Sequence, residues 1–105
     1  MFFKSPEARL CRLLKRAEAK FRALGDGAIW SSYDSGIALA DFVLKARTGI
    51  ENGTISPDDK TELWCVFAPT CDWDDTVGDV HLGNEIFALL DQLYGELVKR
   101  NDAGK

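Results

Sequence analysis

The sequence has no long hydrophobic run and no apolar segment at its start. Its uninterrupted apolar stretches are far shorter than the roughly 18 residues that indicate a membrane-spanning helix. Residues 1–6 contain no apolar region of the kind found in a secretory signal. We therefore expect a soluble, cytoplasmic protein that has no membrane partner.

Cysteine is scarce and odd in number, with only Cys11, Cys65 and Cys71 present. An odd count without a secretory signal indicates reduced thiols in a cytoplasm rather than a disulfide framework. A bridge between Cys65 and Cys71 remains an alternative. The sequence also lacks a glycine-rich phosphate-binding loop and a Gly-x-Ser-x-Gly nucleophile motif. No enzyme class is indicated, and the balance favours a protein that is not an enzyme.

Positive charge is scarce in the second half of the chain. Residues 51–105 contain four Lys or Arg and twelve Asp or Glu, whereas residues 1–50 contain nine and five. This asymmetry argues against a nucleic-acid partner, because phosphate contacts need accessible positive charge. It allows an acidic surface to bind a basic partner, or the two halves to dock on each other. The chain's 105 residues predict a single helical domain over residues 1–105.

The first half predicts two helices. The first begins at Ser5, a capping serine followed by proline, and ends at Gly25. The second is predicted to begin after a capping Ser31 and to end at Gly49 or at residues 52–53. Apolar residues recur at steps of three and four in both, and they are expected to face inward: Leu10, Leu13, Leu14, Ala17, Phe21 and Leu24 in the first, and Ile37, Ala40, Val43 and Leu44 in the second.

The second half predicts a short third helix and a longer last helix. The third begins at Ser56, which precedes proline and two acids, and runs to about Phe67. Residues 63–68 could instead form a buried strand, which would give a small α+β fold. The last helix is predicted to begin near Leu82 or Asn84, after a long acidic loop over residues 69–83. The predicted fold is therefore all-α, a compact bundle of four helices, one of them short.

The acidic loop carries the main functional hypothesis. It contains Asp72, Trp73, Asp74, Asp75 and Asp79 within eight positions. Close like charges repel unless solvent, backbone N–H groups or a cation compensate them. We predict that these residues bind a basic protein partner, as in an immunity or inhibitor-type protein whose aspartates replace nucleic-acid phosphates. The structural alternative is that the aspartates cap turns and the next helix.

Aromatic residues complete this hypothesis. Trp73 lies among three aspartates and is expected to be a partly exposed anchor, because its charged neighbours are difficult to bury with it. Trp30 and Tyr33 are candidate residues at the rim of the same surface, since Trp and Tyr are common at binding hot spots. The partner's identity and any self-association remain open.

Metal binding and catalysis are weaker alternatives. Asp74, Asp75 and Asp79 form an Asp-Asp-x-x-x-Asp pattern that, with Asp72, could bind a divalent metal in a small metal-binding protein or metal-dependent enzyme. No cofactor is predicted. A zinc site would use Cys65, Cys71, His81 and one aspartate as ligands. A catalytic thiol would use Cys71 as the nucleophile, His81 as the base and one aspartate to orient it. Cys65 is otherwise expected to be a small core residue, and the aspartates should keep the Cys71 thiol protonated.

Overall fold

The computed structural model describes residues 5–29, 31, 33–69 and 71–103. Within these residues the chain forms five α-helices and no strand: α1 (Pro6–Ala23), α2 (Gly36–Asn52), α3 (Pro57–Phe67), α4 (Asp72–Thr76) and α5 (Val80–Ala103). The all-α prediction is confirmed. The alternative strand over residues 63–68 is wrong, because residues 63–67 are the end of α3. None of the described helices is both long enough and apolar enough to cross a membrane.

Serine hydroxyls begin the first three helices. The Oγ of Ser5 accepts a hydrogen bond from the N–H of Ala8 (3.1 Å), and the Oγ of Ser56 accepts one from Asp59 (3.1 Å). Both caps follow from local sequence, since a serine followed by proline suits the N-cap and the first helical position. The predicted starts of α1 and α3 are confirmed.

The start of α2 differs from the prediction. Its cap is Ser35 rather than Ser31, and the Oγ of Ser35 accepts from the N–H of Ala38 (3.1 Å). The hydroxyl of Ser31 is engaged elsewhere, because it donates to Asp72 at 2.6 Å. The predicted start of α2 at Ser31 is therefore wrong, and Ser35 caps the helix.

Glycines in the left-handed conformation follow the first two helices. Gly25 (φ 79°) lies just after α1, and Gly53 (φ 70°) caps α2 by donating its N–H to the carbonyl of Gly49 or Ile50. Residues with a Cβ are strained in this conformation and glycine is not, so glycine at these positions favours the end of the helix. Of the two predicted ends of α2, the one at residues 52–53 is the observed one.

The helix α1 is central in the bundle. It packs against α2 on one side and against α5 on the other, while α3 packs on α5 and, more lightly, on α2. The short α4 contacts α3 and α5. The buried core draws on all five helices, and its fully inaccessible members include the following large side chains: Leu10, Leu14, Phe21, Leu39, Val43, Leu63, Val66, Trp73, Leu82, Ile86 and Leu90.

Three residues that were predicted to face the core are exposed. Leu24 and Leu44 each expose 38% of their surface, and Cys65 is exposed as well. Leu24 follows the end of α1, so no further turn of that helix covers it. The helix α2 packs mainly on α1, which leaves Leu44 on its outer side. The spacing of Leu44 from the other apolar residues of α2 therefore did not predict its exposure.

Candidate functional site: an acidic face on α3 and α4

The residues predicted as a long loop are largely helical. Residues 72–76 form α4, and α5 begins at Val80 rather than near Leu82 or Asn84. The short connection between them contains Gly78 in the left-handed conformation (φ 71°). The predicted fifteen-residue loop is wrong: Asp72, Asp74 and Asp75 lie on α4, and Asp79 lies just before α5. This arrangement restricts the directions in which the aspartates can point.

The side chain of Trp73 is completely buried. Its indole lies edge-on to the ring of Phe21 (centroids 5.2 Å apart) and packs against Phe67 at 5.3 Å. Its Nε1–H donates to the carbonyl of Asp79 at 2.9 Å, so its polar group is satisfied inside the fold. The prediction of a partly exposed Trp73 is wrong: the indole anchors α4 to the core while the flanking aspartates stay at the surface.

The indole needs a glycine opposite it. A Cβ at position 83 would overlap Nε1 and Cδ1 of Trp73, so Gly83 allows α5 to approach the indole ring. This contact explains a buried glycine near the start of a helix, where glycine would otherwise reduce helix stability. It also fixes α4 against α5.

Asp79 is engaged within the fold. One carboxylate oxygen accepts from the backbone N–H of Leu82 at 3.2 Å, and the other lies 3.5 Å from Nζ of Lys20. The hydrogen bond from Leu82 and the nearby Lys20 lower the pKa of Asp79 below its ordinary value. Asp79 therefore acts as an N-terminal capping residue of α5, which is the structural alternative considered for the aspartates.

Asp72 and the predicted rim residue Tyr33 belong to one hydrogen-bonded arrangement. The hydroxyl of Ser31 donates to the Asp72 carboxylate at 2.6 Å and accepts from the N–H of Tyr33 at 3.0 Å. The hydroxyl of Tyr33 donates to the carboxylate of Glu62 on α3 at 2.7 Å. The half-buried Tyr33 therefore lies between carboxylates of two helices. Trp30, the other predicted rim residue, lies outside the described residues.

Burial and nearby carboxylates both make Tyr33 harder to deprotonate than a free tyrosine. Its pKa is raised above the ordinary value, first by burial, then by the hydrogen bond to Glu62, and then by the charges of Asp72 and Asp59. A deprotonated tyrosine next to carboxylates is unfavourable, because like charges repel. Carboxylates from α3 and α4 therefore converge on this ring.

Cys71, just before α4, also has a pKa that is shifted by nearby carboxylates. The pKa of the Cys71 thiol is raised by burial and by the charges of Asp72, Asp75 and Asp74. We define the acidic face as Asp59, Glu62, Asp72, Asp74 and Asp75, the carboxylates around Tyr33 and Cys71. Raising the pKa keeps the thiol protonated, which argues against a thiolate nucleophile at Cys71.

Sequence inspection missed Asp59 and Glu62, the two members of the acidic face on α3. The available signal was their spacing of three residues on a predicted helix, which places both carboxylates on one side. Nothing local indicates that this side meets Tyr33, which is 29 residues from Glu62. Lys45 of α2 lies at the border of the face, with its Nζ 3.3 Å from the carboxylate of Asp59.

The basic side of α1 is partly matched by this chain's own acids. Arg9 lies 3.4 Å from the carboxylate of Glu85, and Lys20 pairs with Asp79, so α1 meets acidic residues on α5 and just before it. Docking of the basic half on the acidic half was one of the predicted alternatives. These pairs involve Asp79 and Glu85 rather than the acidic face, whose residues lie on α3 and α4.

No set of three or more His, Cys, Asp or Glu side chains in the described part of the chain is arranged to hold a metal ion. Asp74, Asp75 and Asp79, which all belong to that part, therefore do not form the suggested metal cluster. The suggested zinc ligands Cys65, Cys71 and His81 are likewise not grouped as a metal site, and the two cysteines are not joined in a disulfide.

Comparison with known proteins supplies no relative from which a function could be transferred. No protein-family model, curated protein or solved structure matches this chain. The chemistry of the acidic face is therefore the basis of the functional interpretation.

Proposed function

We propose that this protein is a non-catalytic protein-interaction module that binds a basic protein partner through the acidic face. The observation that carries the proposal is the convergence of carboxylates from α3 and α4 around Tyr33, reflected in its raised pKa. Two of these carboxylates, Glu62 and Asp72, accept hydrogen bonds from hydroxyl groups. A hydroxyl stabilises a carboxylate without neutralising it, so the negative charge remains available to a cation.

The proposed surface gains Asp59 and Glu62 and loses two of the predicted residues. Trp73 supports the face from inside the core, and Asp79 belongs to the cap of α5. Tyr33 replaces Trp73 as the aromatic contact residue, because its ring is only half buried. An inhibitor of a cationic toxin or nuclease remains the example that fits best, since a carboxylate surface can occupy the place of nucleic-acid phosphates.

The chemistry of the face favours arginine over lysine on the partner. A guanidinium group is planar, can bond two carboxylates through separate N–H groups, and can stack on an aromatic ring. Glu62 accepts a hydrogen bond from the Tyr33 hydroxyl, and Asp72 is close enough to raise the pKa of Tyr33, so two carboxylates lie near one aromatic ring. An ammonium group carries the same charge but presents a compact point that cannot stack in this way.

The first experiment measures binding of hexa-arginine and hexa-lysine peptides by isothermal titration calorimetry at low and high salt. We expect hexa-arginine to bind several-fold more tightly than hexa-lysine, and both to weaken at higher salt because exposed charges are screened. In the double variant Glu62→Gln and Asp75→Asn, arginine binding should fall about tenfold or more, equivalent to roughly 1.4 kcal/mol.

The matched control is the double variant Glu96→Gln and Glu85→Gln, which removes the same charge from α5, outside the acidic face. Glu96 is 92% exposed and pairs only loosely with Arg100, at 3.9 Å. We expect this variant to bind hexa-arginine nearly as well as the unmodified protein. Equal losses in the two double variants would reduce the effect to net charge and would remove the acidic face as a specific surface.

A further inference from the structure

We draw no further inference here: the strongest candidate, the row of partly buried aromatic side chains Trp64, Phe87 and Tyr94 along the contact between α3 and α5, is an apolar surface for which nothing in the structure shows what covers it.

Discussion

The carboxylates between α1 and α2 and those of the acidic face have different hydrogen-bond partners. Between α1 and α2, Glu18 contacts both Arg22 and Arg47, with N–O distances of 3.0 and 3.2 Å. On the acidic face, Glu62 and Asp72 instead accept hydrogen bonds from the hydroxyls of Tyr33 and Ser31. Both arrangements satisfy the oxygen atoms, but only the first neutralises their charge.

This difference separates the structural role of the acidic residues between α1 and α2 from the proposed binding role of the acidic face. The network between α1 and α2 extends to Asp41 and Glu51, so that two guanidinium groups meet three carboxylates. Such a network fixes the relative position of two helices and leaves little charge for a partner. On the acidic face, Lys45 pairs with Asp59 at 3.3 Å, whereas the two hydroxyls bond Glu62 and Asp72 and the buried indole of Trp73 holds α4. The hydroxyl contacts leave the negative charges of Glu62 and Asp72 in place.

The largest expected effect comes from removing the support of the acidic face. Trp73→Ala should destabilise the protein by about 3–5 kcal/mol, because it leaves a cavity between Phe21 and Phe67. Urea denaturation followed by circular dichroism measures this loss. Val80→Ala, at a position 63% exposed, is the control and should change stability by less than about 0.5 kcal/mol. A loss below about 1 kcal/mol for Trp73→Ala would contradict the anchoring role.

The next effect tests the neutralised side. Arg47→Met keeps most of the side-chain length but leaves Glu18 and Glu51 without this guanidinium, and we expect a loss of about 2 kcal/mol. Only 18% of the Arg47 side chain is exposed, so solvent compensates little. Arg100→Met removes an 80% exposed arginine from a loose pair and should cost under about 0.5 kcal/mol. Equal losses in the two variants would show that burial of the network is unimportant.

The dependence of stability on alkaline pH tests the hydrogen bond from the Tyr33 hydroxyl on the acidic face. The pKa of Tyr33 is raised on folding, so the unfolded chain releases this proton first as the pH rises above about 10. The stability that comes from the neutral tyrosine is complete below that pH and is lost as the pH rises toward the folded-state pKa. Burial also raises the pKa of Tyr94, to about 12, so this residue contributes to the same decline.

Tyr33→Phe should therefore have two results. At neutral pH the variant loses about 1 kcal/mol, because the hydrogen bond to Glu62 is absent. Between pH 10 and 12 its melting temperature should fall less steeply than that of the unmodified protein. Thermal melts across this range give both values. An identical pH dependence in the two proteins would show that the Tyr33 hydroxyl titrates as it does in an unfolded chain.

The smallest expected effect is on the alkylation rate of Cys71, which depends on the electrostatic potential at the start of α4. The Cys71 thiol has a raised pKa, so it should react with iodoacetamide at pH 7.5 more slowly than a free cysteine does. Asp75→Asn removes one of the charges that raise this pKa, and the rate should increase by about twofold at low salt and less at high salt. Mass spectrometry of the peptide that contains residue 71 follows the reaction.

The control for alkylation is Asp58→Asn. Asp58 is exposed at the first turn of α3, and it is not among the charges that act on Cys71. This variant should leave the rate unchanged. If the two substitutions accelerate alkylation equally, the potential at Cys71 arises from net charge rather than from the acidic face.

Much of the helical framework could be predicted from the sequence because its signals are local. A capping serine bonds an N–H only three residues away, as at Ser5 and Ser56, and a left-handed glycine ends a helix by its own backbone preference. The periodic apolar residues of α1 were also predicted correctly from Leu10 to Phe21. These features need no knowledge of the remaining chain.

Predictions failed where a residue's role depends on distant partners. Ser31 has the sequence features of a cap, yet its hydroxyl contacts Asp72, 41 residues away. Trp73 looks exposed among its acidic neighbours, but a short helix turns its indole inward while leaving them outside. In both cases a tertiary contact outweighs a weak local preference.

The sequence by itself determined that the chain is helical, where α1 and α3 begin and end, where α2 ends, and that its second half is strongly acidic. Only the tertiary structure decided which carboxylates meet: Asp79 joins a helix cap and a lysine, while Glu62 and Asp72 come together around Tyr33. The physical reason is the distance along the chain over which each kind of interaction acts. Helix propensity and capping act over three or four residues, whereas the electrostatic character of a surface depends on side chains that only the packing of helices brings together.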